Sequence, residues 1–152
     1  MSYDNIKILA QPLLPYTLHG VNPRTIMGQT SWNKIKKVKQ KEADHHCQIC
    51  DRYVAHVIGD YLECHEVYEI DEEKYEFKLI DIVAICNTCH SFIHFGRTTI
   101  LYNEGKITED RYYEIYDKGQ QLLQSQNLVK KEIDLSAPYV LVWNNKYYWA
   151  GE

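Results

Sequence analysis

Four of the five cysteines fall in two pairs, Cys47-x-x-Cys50 and Cys86-x-x-Cys89, separated by 35 residues. Thiolates in this pattern suit zinc, a borderline-soft ion without redox chemistry. Four sulfurs close its tetrahedral sphere and leave no position open for catalysis, so such a site is structural. The first ten residues carry Asp4 and Lys7 and no apolar leader segment. In that context the pairs read as a metal site rather than a disulfide frame. Three histidines stand beside them: His65 between the pairs, His90 directly after Cys89, and His94 four residues on. On a helix, i and i+4 share a face, within reach of a common ion. A strand histidine facing that pair can hold a divalent metal and a water between them. The combination suits phosphodiester hydrolysis: the strand imidazole takes a proton from water and the metal stabilises charge on the phosphate and the leaving oxygen.

The two cysteine pairs meet only if the chain between them doubles back. Tyr61 to Ile70 alternates, with Leu62, Cys64, Glu66 and Tyr68 on one side and Tyr61, Glu63, His65, Val67 and Glu69 on the other. Asp71-Glu72-Glu73-Lys74 reads as a polar turn, and Tyr75 to Ile85, rich in β-branched and aromatic residues, as the returning strand. Asn87-Thr88 is expected to cap a short helix carrying Cys89, His90, Ile93 and His94, ended by Gly96. Before the first pair, a surface helix is expected from Thr30 or Ser31, with Trp32, Ile35 and Val38 on its apolar stripe and five lysines around the rest. Residues 1–28 read as irregular, apart from a short strand at Ile6 to Leu9. A longer helix is expected from Thr108 to about Asn127. The segment from Tyr139 to Trp149 reads as a hairpin turning at Asn144-Asn145. The fold class expected is α+β, with boundaries at 1–43 (arm and basic helix), 44–97 (zinc-stapled core) and 98–152 (helix and hairpin of unknown role).

Leu62-Glu63-Cys64-His65-Glu66-Val67, then Cys86-Asn87-Thr88-Cys89-His90 with His94 after three residues, resembles the HNH endonucleases of the ββα-metal fold. It looks most like the subtype stapled by a four-cysteine zinc. The resemblance covers roughly residues 44–97, and more loosely the Asn22-Pro23-Arg24 and Trp32 region. It implies that His65 is the general base and that Cys47, Cys50, Cys86 and Cys89 hold the structural zinc. It places His90 and His94 at the second and third motif positions of the metal-binding helix, His90 counting as catalytic as well as ligand. The catalytic ion stays open among magnesium, manganese and zinc. Cys64 departs from the pattern, because many members place a metal-binding Asp or His there. A soft ligand, a thiol buried on the opposite face and weakened metal binding are all open, and Glu63 or Glu66 is a candidate replacement.

A nuclease must grip the phosphate backbone, and the expected contacts are Arg24, Lys34, Lys37, Lys41 and Arg97, with DNA as the partner. The net charge of −4 excludes an indiscriminately basic coat protein. It hides an excess of four positive charges over residues 1–58 and of seven negative charges over residues 59–81. With 152 residues, 45% apolar and 25% charged, the chain has the composition of one soluble globular domain. No apolar run approaches the roughly 20 residues that cross a bilayer. The expected setting is the cytoplasm of a bacterial or phage-infected cell, with a homodimer, or a protein partner at the C-terminal segment, as further expectations. The alternative is an HNH-like zinc module that has lost catalysis and binds protein or nucleic acid.

Overall fold

The chain between the cysteine pairs does double back. In a computed structural model, which describes residues 3–150, strand β1 (Glu63–Asp71) pairs antiparallel with β2 (Glu76–Ile85). His65 lies opposite Val83 and Glu63 opposite Ile85. The turn is held by Asp71, whose Oδ1 accepts from the backbone N–H groups of Glu73 and Lys74, both at 3.0 Å. The register slips between Val67 and Tyr68. This bulge releases the Tyr68 N–H from the ladder, and the side chain of Gln11 accepts it at 2.9 Å.

The C-terminal hairpin forms as β3 (Val140–Trp143) and β4 (Lys146–Tyr148), with Asn144 and Asn145 both at positive φ in the two-residue turn. It does not stand apart. β3 joins β2 in parallel over Glu76–Lys78, giving one sheet in the order β1-β2-β3-β4. Phe77, Tyr139 and Leu141 bury a second small core there with Leu18.

The N-terminal region departs from expectation. Ile6 to Leu9 is helical, not extended: helix α1 (Tyr3–Ile6) runs into a 3₁₀ turn (Lys7–Ala10). Ile6, Ile8 and Leu9 are all buried, which suits a helical turn and not the alternation of a strand. Residues 1–28 are also less irregular than expected, because α2 (Pro23–Met27) starts at Pro23 with Asn22 Oδ1 accepting from Thr25 N–H at 2.9 Å. Helix α3 (Gln29–Glu42) starts without a hydroxyl cap. Gly28, at φ 88°, ends α2 and opens α3 in one residue, a backbone angle that residues with a Cβ rarely adopt. Trp32 and Gln40 face inward, Gln40 donating to the Leu62 carbonyl at 2.6 Å, while Val38 is 53% exposed.

Helix α4 (Asn87–Ile93) breaks at His94 and a further helix, α5 (Phe95–Asn103), follows at once, so Gly96 lies inside a helix and ends none. The break is stabilised by Thr98, whose hydroxyl donates to the Ser91 and His94 carbonyls at 2.8 and 3.3 Å. Helix α6 (Glu109–Ser125) starts where expected, with Thr108 as its cap, Oγ1 accepting from Arg111 N–H at 3.1 Å. Ile115, Gly119 and Leu123 form its buried face against α4 and the N-terminal arm. At Gly119 an added methyl would overlap the Phe92 ring. Gly119→Ala is therefore expected to cost about 1–3 kcal/mol by overpacking, outweighing the roughly 1 kcal/mol gained in helix propensity. A thermal melt at or above the wild-type Tm would show that α4 and α6 part without cost. No helix among the described residues is long and apolar enough to cross a membrane.

Candidate metal centres

The loop before β1 and the start of α4 bring Cys47, Cys50, Cys86 and Cys89 together, their sulfurs all within 4.8 Å of one another. The Cys50 and Cys86 Sγ atoms are 3.7 Å apart. That is far beyond the roughly 2.05 Å of a disulfide. It matches the edge of about 3.8 Å of a tetrahedron whose metal–sulfur bonds are about 2.3 Å. Backbone amides point at the sulfurs: Ile49 and Cys50 N–H reach Cys47 Sγ at 3.4 Å, and Cys89 N–H reaches Cys86 Sγ at 3.5 Å. These donors stabilise charge on sulfur. Hydrogen bonds from the neighbouring thiols hold Cys86 far below the usual thiol range, while the same crowding pushes Cys47 and Cys89 up. Four sulfurs this close repel one another as anions unless a cation sits among them, so the donor set fits a metal ion.

His65 on β1, His90 on α4 and His94 at the end of α4 bring ring nitrogens within 4.8 Å of one another. Ring centroids are 5.3 Å apart for His65–His90, 5.0 Å for His65–His94 and 4.9 Å for His90–His94. The β1–β2 pairing and the thiol cluster fix the strand residue, and the helical spacing fixes the other two. His65 is 4% exposed and its Nδ1 is buried without a hydrogen-bond partner. An orphaned buried polar atom is costly, by roughly 1–3 kcal/mol, and an ion or water in the site would satisfy it. Its Nε2 lies 3.4 Å from the Gln11 amide nitrogen. Burial first, and then the neighbouring His90 and His94, hold His65 well below the usual imidazole range. Burial and His90 push His94 down to about 4. All the same forces favour neutral rings, the form that ligates metals.

Glu63 shares the His65 face, as the alternation required, and its carboxylate lies 3.6 Å from His90 Nδ1. Burial opposes its charge, but the His90 ring and the Asn87 amide outweigh that and hold the carboxyl below its usual range. Asn87 Nδ2 donates to Glu63 Oε2 at 3.2 Å, and Arg111 on α6 donates to Asn87 Oδ1 at 2.7 Å and Thr88 Oγ1 at 3.0 Å. A chain of contacts thus runs from α6 to the His90 ring and holds the carboxylate beside its Nδ1. Glu63→Gln is expected to weaken manganese binding at the histidines by about 10–100-fold in titration calorimetry, with unfolding unchanged. Equal affinity would mean that the carboxylate does not orient the ring.

Glu66 does not keep to the face its position predicts. Its carboxylate returns to 3.6 Å from His65 Nδ1, and burial raises its pKa. Cys64 turns to α3, its Sγ 4.0 Å from the Lys36 carbonyl, and burial pushes the thiol up to about 11. It stays protonated at neutral pH and lies outside the cluster of nitrogens.

The three histidines line a cleft of about 510 Å³ whose wall includes Gln11, Tyr16, His19, Arg24 and Arg97. Arg24 is steadied over the Trp32 ring at 5.0 Å. The expected backbone contacts therefore divide: Arg24 and Arg97 stand at the cleft, whereas Lys34, Lys37 and Lys41 lie along α3 and do not line it. Gln11 and Arg111 are contacts of the site that no motif announced, and Asn87, which stands inside the quoted motif and is expected there only as a cap, bridges Arg111 to Glu63. Arg111 carries only the weak signal of its place in the first turn of a capped helix. No protein-family model, curated protein or solved structure matches the chain.

Proposed function

We propose that the protein is a metal-dependent endonuclease of the HNH type, hydrolysing phosphodiester bonds in DNA. The observation that carries this reading is the convergence of His65, His90 and His94 at the floor of a cleft flanked by Arg24 and Arg97. The strand–strand–helix order of β1, β2 and α4, with a Cys-x-x-Cys pair on either side of the hairpin, supports the same family.

In this reading Cys47, Cys50, Cys86 and Cys89 hold a structural zinc, and His90 and His94 hold the catalytic ion, magnesium, manganese or zinc. That ion supplies Lewis-acid stabilisation of charge at the phosphate and the leaving oxygen when bound. The rest is done by the chain. His65, neutral and buried at the cleft floor, accepts a proton from the attacking water. Glu63, braced by Asn87 and Arg111, holds the His90 ring in place. Arg24 and Arg97 grip non-bridging phosphate oxygens and set the scissile bond over the histidines.

The test is plasmid cleavage. Purified protein with magnesium or manganese is expected to convert supercoiled plasmid to nicked or linear form, and His65→Ala to abolish this with zinc content and fold intact. A plasmid left supercoiled over a wide protein range in both metals would overturn the enzymatic reading and leave a zinc-stapled binding module.

A further inference from the structure

His45, His46 and His56 take no part in the metal centres, yet they sit in a continuous chain of rings on the surface. The order is His46, Tyr53, His45, His56 and Tyr61, with successive centroids 5.4, 6.3, 5.9 and 6.3 Å apart. Lys36 closes the row, its ammonium 5.0 Å from the Tyr61 ring centre. Tyr53 is 59% exposed and Tyr61 44%. Apolar side chains follow at the neighbouring turn, where Ile58 is fully exposed. Lys37 and Lys41 flank the rings and line a small groove with His45 and His56, in which Asp44 is the one carboxylate. Neither lysine makes an ion pair among the described residues.

The row is built, not incidental. The Cys47–Cys50 knuckle holds it from beneath, through Cys47 N–H to the Arg52 carbonyl at 2.8 Å and Val54 N–H to the His45 carbonyl at 2.7 Å. Asp44, His45 and His56 occupy the left-handed backbone region, at φ 49°, 61° and 57°, which side-chain-bearing residues seldom adopt. α3 connects this surface to the cleft: Trp32 near its start supports Arg24, and Lys36, Lys37 and Lys41 follow along it. Fourteen residues span about 21 Å.

We infer that this row is a stacking platform for an unpaired stretch of nucleic acid, its bases on Tyr53, His56 and Tyr61 and its phosphates on Lys36, Lys37 and Lys41. Exposed aromatic rings beside lysines that make no ion pair are what single strands recognise, since every base has a π-face and every linkage a charge. A duplex, with its bases stacked inside, gains only the lysine contacts. The inference deepens the proposed function by naming the form of substrate that approaches the cleft.

The test is fluorescence anisotropy with a labelled single strand and with its duplex, without added magnesium or manganese. Wild type is expected to prefer the single strand. Tyr53→Ala and Tyr61→Ala are each expected to weaken single-strand binding by at least about fivefold. A Lys37→Ala, Lys41→Ala double variant should flatten the salt dependence. Tyr147→Ala, at an equally exposed tyrosine on β4, should bind as wild type does. Zinc content per chain checks that each variant is folded. Aromatic variants that bind normally, a preference for duplex resting on the lysines alone, or no binding to either probe would each overturn the inference. Plasmid that stays supercoiled while single-strand binding follows this pattern would sink the catalytic reading alone. Cleavage with binding indifferent to the tyrosines would sink only this one.

Discussion

Cys86→Ser is expected to abolish cooperative folding of the hairpin and α4. Cys86 is fully buried and occupies two roles at once: its sulfur stands 3.7 Å from Cys50 Sγ and, as the N-cap of α4, accepts from Cys89 N–H. A serine hydroxyl keeps some capping ability but is a poor replacement for a thiolate on a borderline-soft ion. Structural zinc contributes about 10–16 kcal/mol in small zinc modules, against about 5–15 kcal/mol of total stability for a domain. With zinc at the four cysteines, as proposed, losing it removes as much as the whole fold holds. The expected far-UV circular dichroism under reducing conditions shows lost strand and helix signal and no cooperative melt, and a chelator added to wild type should do the same. A Cys86→Ser protein that holds no zinc yet melts within a few degrees of wild type would show that the apolar core suffices without the ion.

That the cysteine cluster could be read in advance, and its surroundings only in part, has a physical reason. Candidate metal ligands impose their spacing locally: two residues between paired thiols, three between His90 and His94, and period two along β1. Each of these is visible in the chain without knowing what packs on it. The bulge at Val67/Tyr68 is not local, because it depends on Gln11 arriving from the arm to take the freed N–H. It comes where Glu66 swings towards His65, against the alternation. The helical turn at Ile6–Ala10 and the continuation through Gly96 are likewise set by tertiary burial, of Ile8 and Leu9 in one case and of Thr98 beneath the helix break in the other. Arg111 is the sharpest case. Nothing in the order Glu109-Asp110-Arg111 says that this guanidinium reaches Asn87 across two helices, and only the packing of α6 on α4 brings it there.

His65→Ala is expected to lower plasmid cleavage by about 10²–10⁴-fold, the usual contribution of a positioned general base, while leaving one zinc per chain. The pH profile of wild type distinguishes this role from a structural one. Burial and the adjacent His90 and His94 hold the His65 proton affinity well below the ordinary imidazole range. The neutral, proton-accepting ring therefore persists as pH falls through 6.5, and the acidic limb of kcat/KM should lie below that value. The sign for stability follows the same direction. An unfolded chain takes up protons on its histidines near pH 6.5, whereas His94 in the folded protein waits until about 4. The contribution of the His94 ring is thus fully present above pH 6.5 and lost as pH falls towards 4. His90→Ala adds the complementary measurement. On the proposed reading it should retain zinc at the four cysteines and lose a second, weaker ion detectable by manganese electron paramagnetic resonance. A cleavage rate unchanged in His65→Ala, or an acidic limb at or above pH 6.5, would remove His65 from the chemistry.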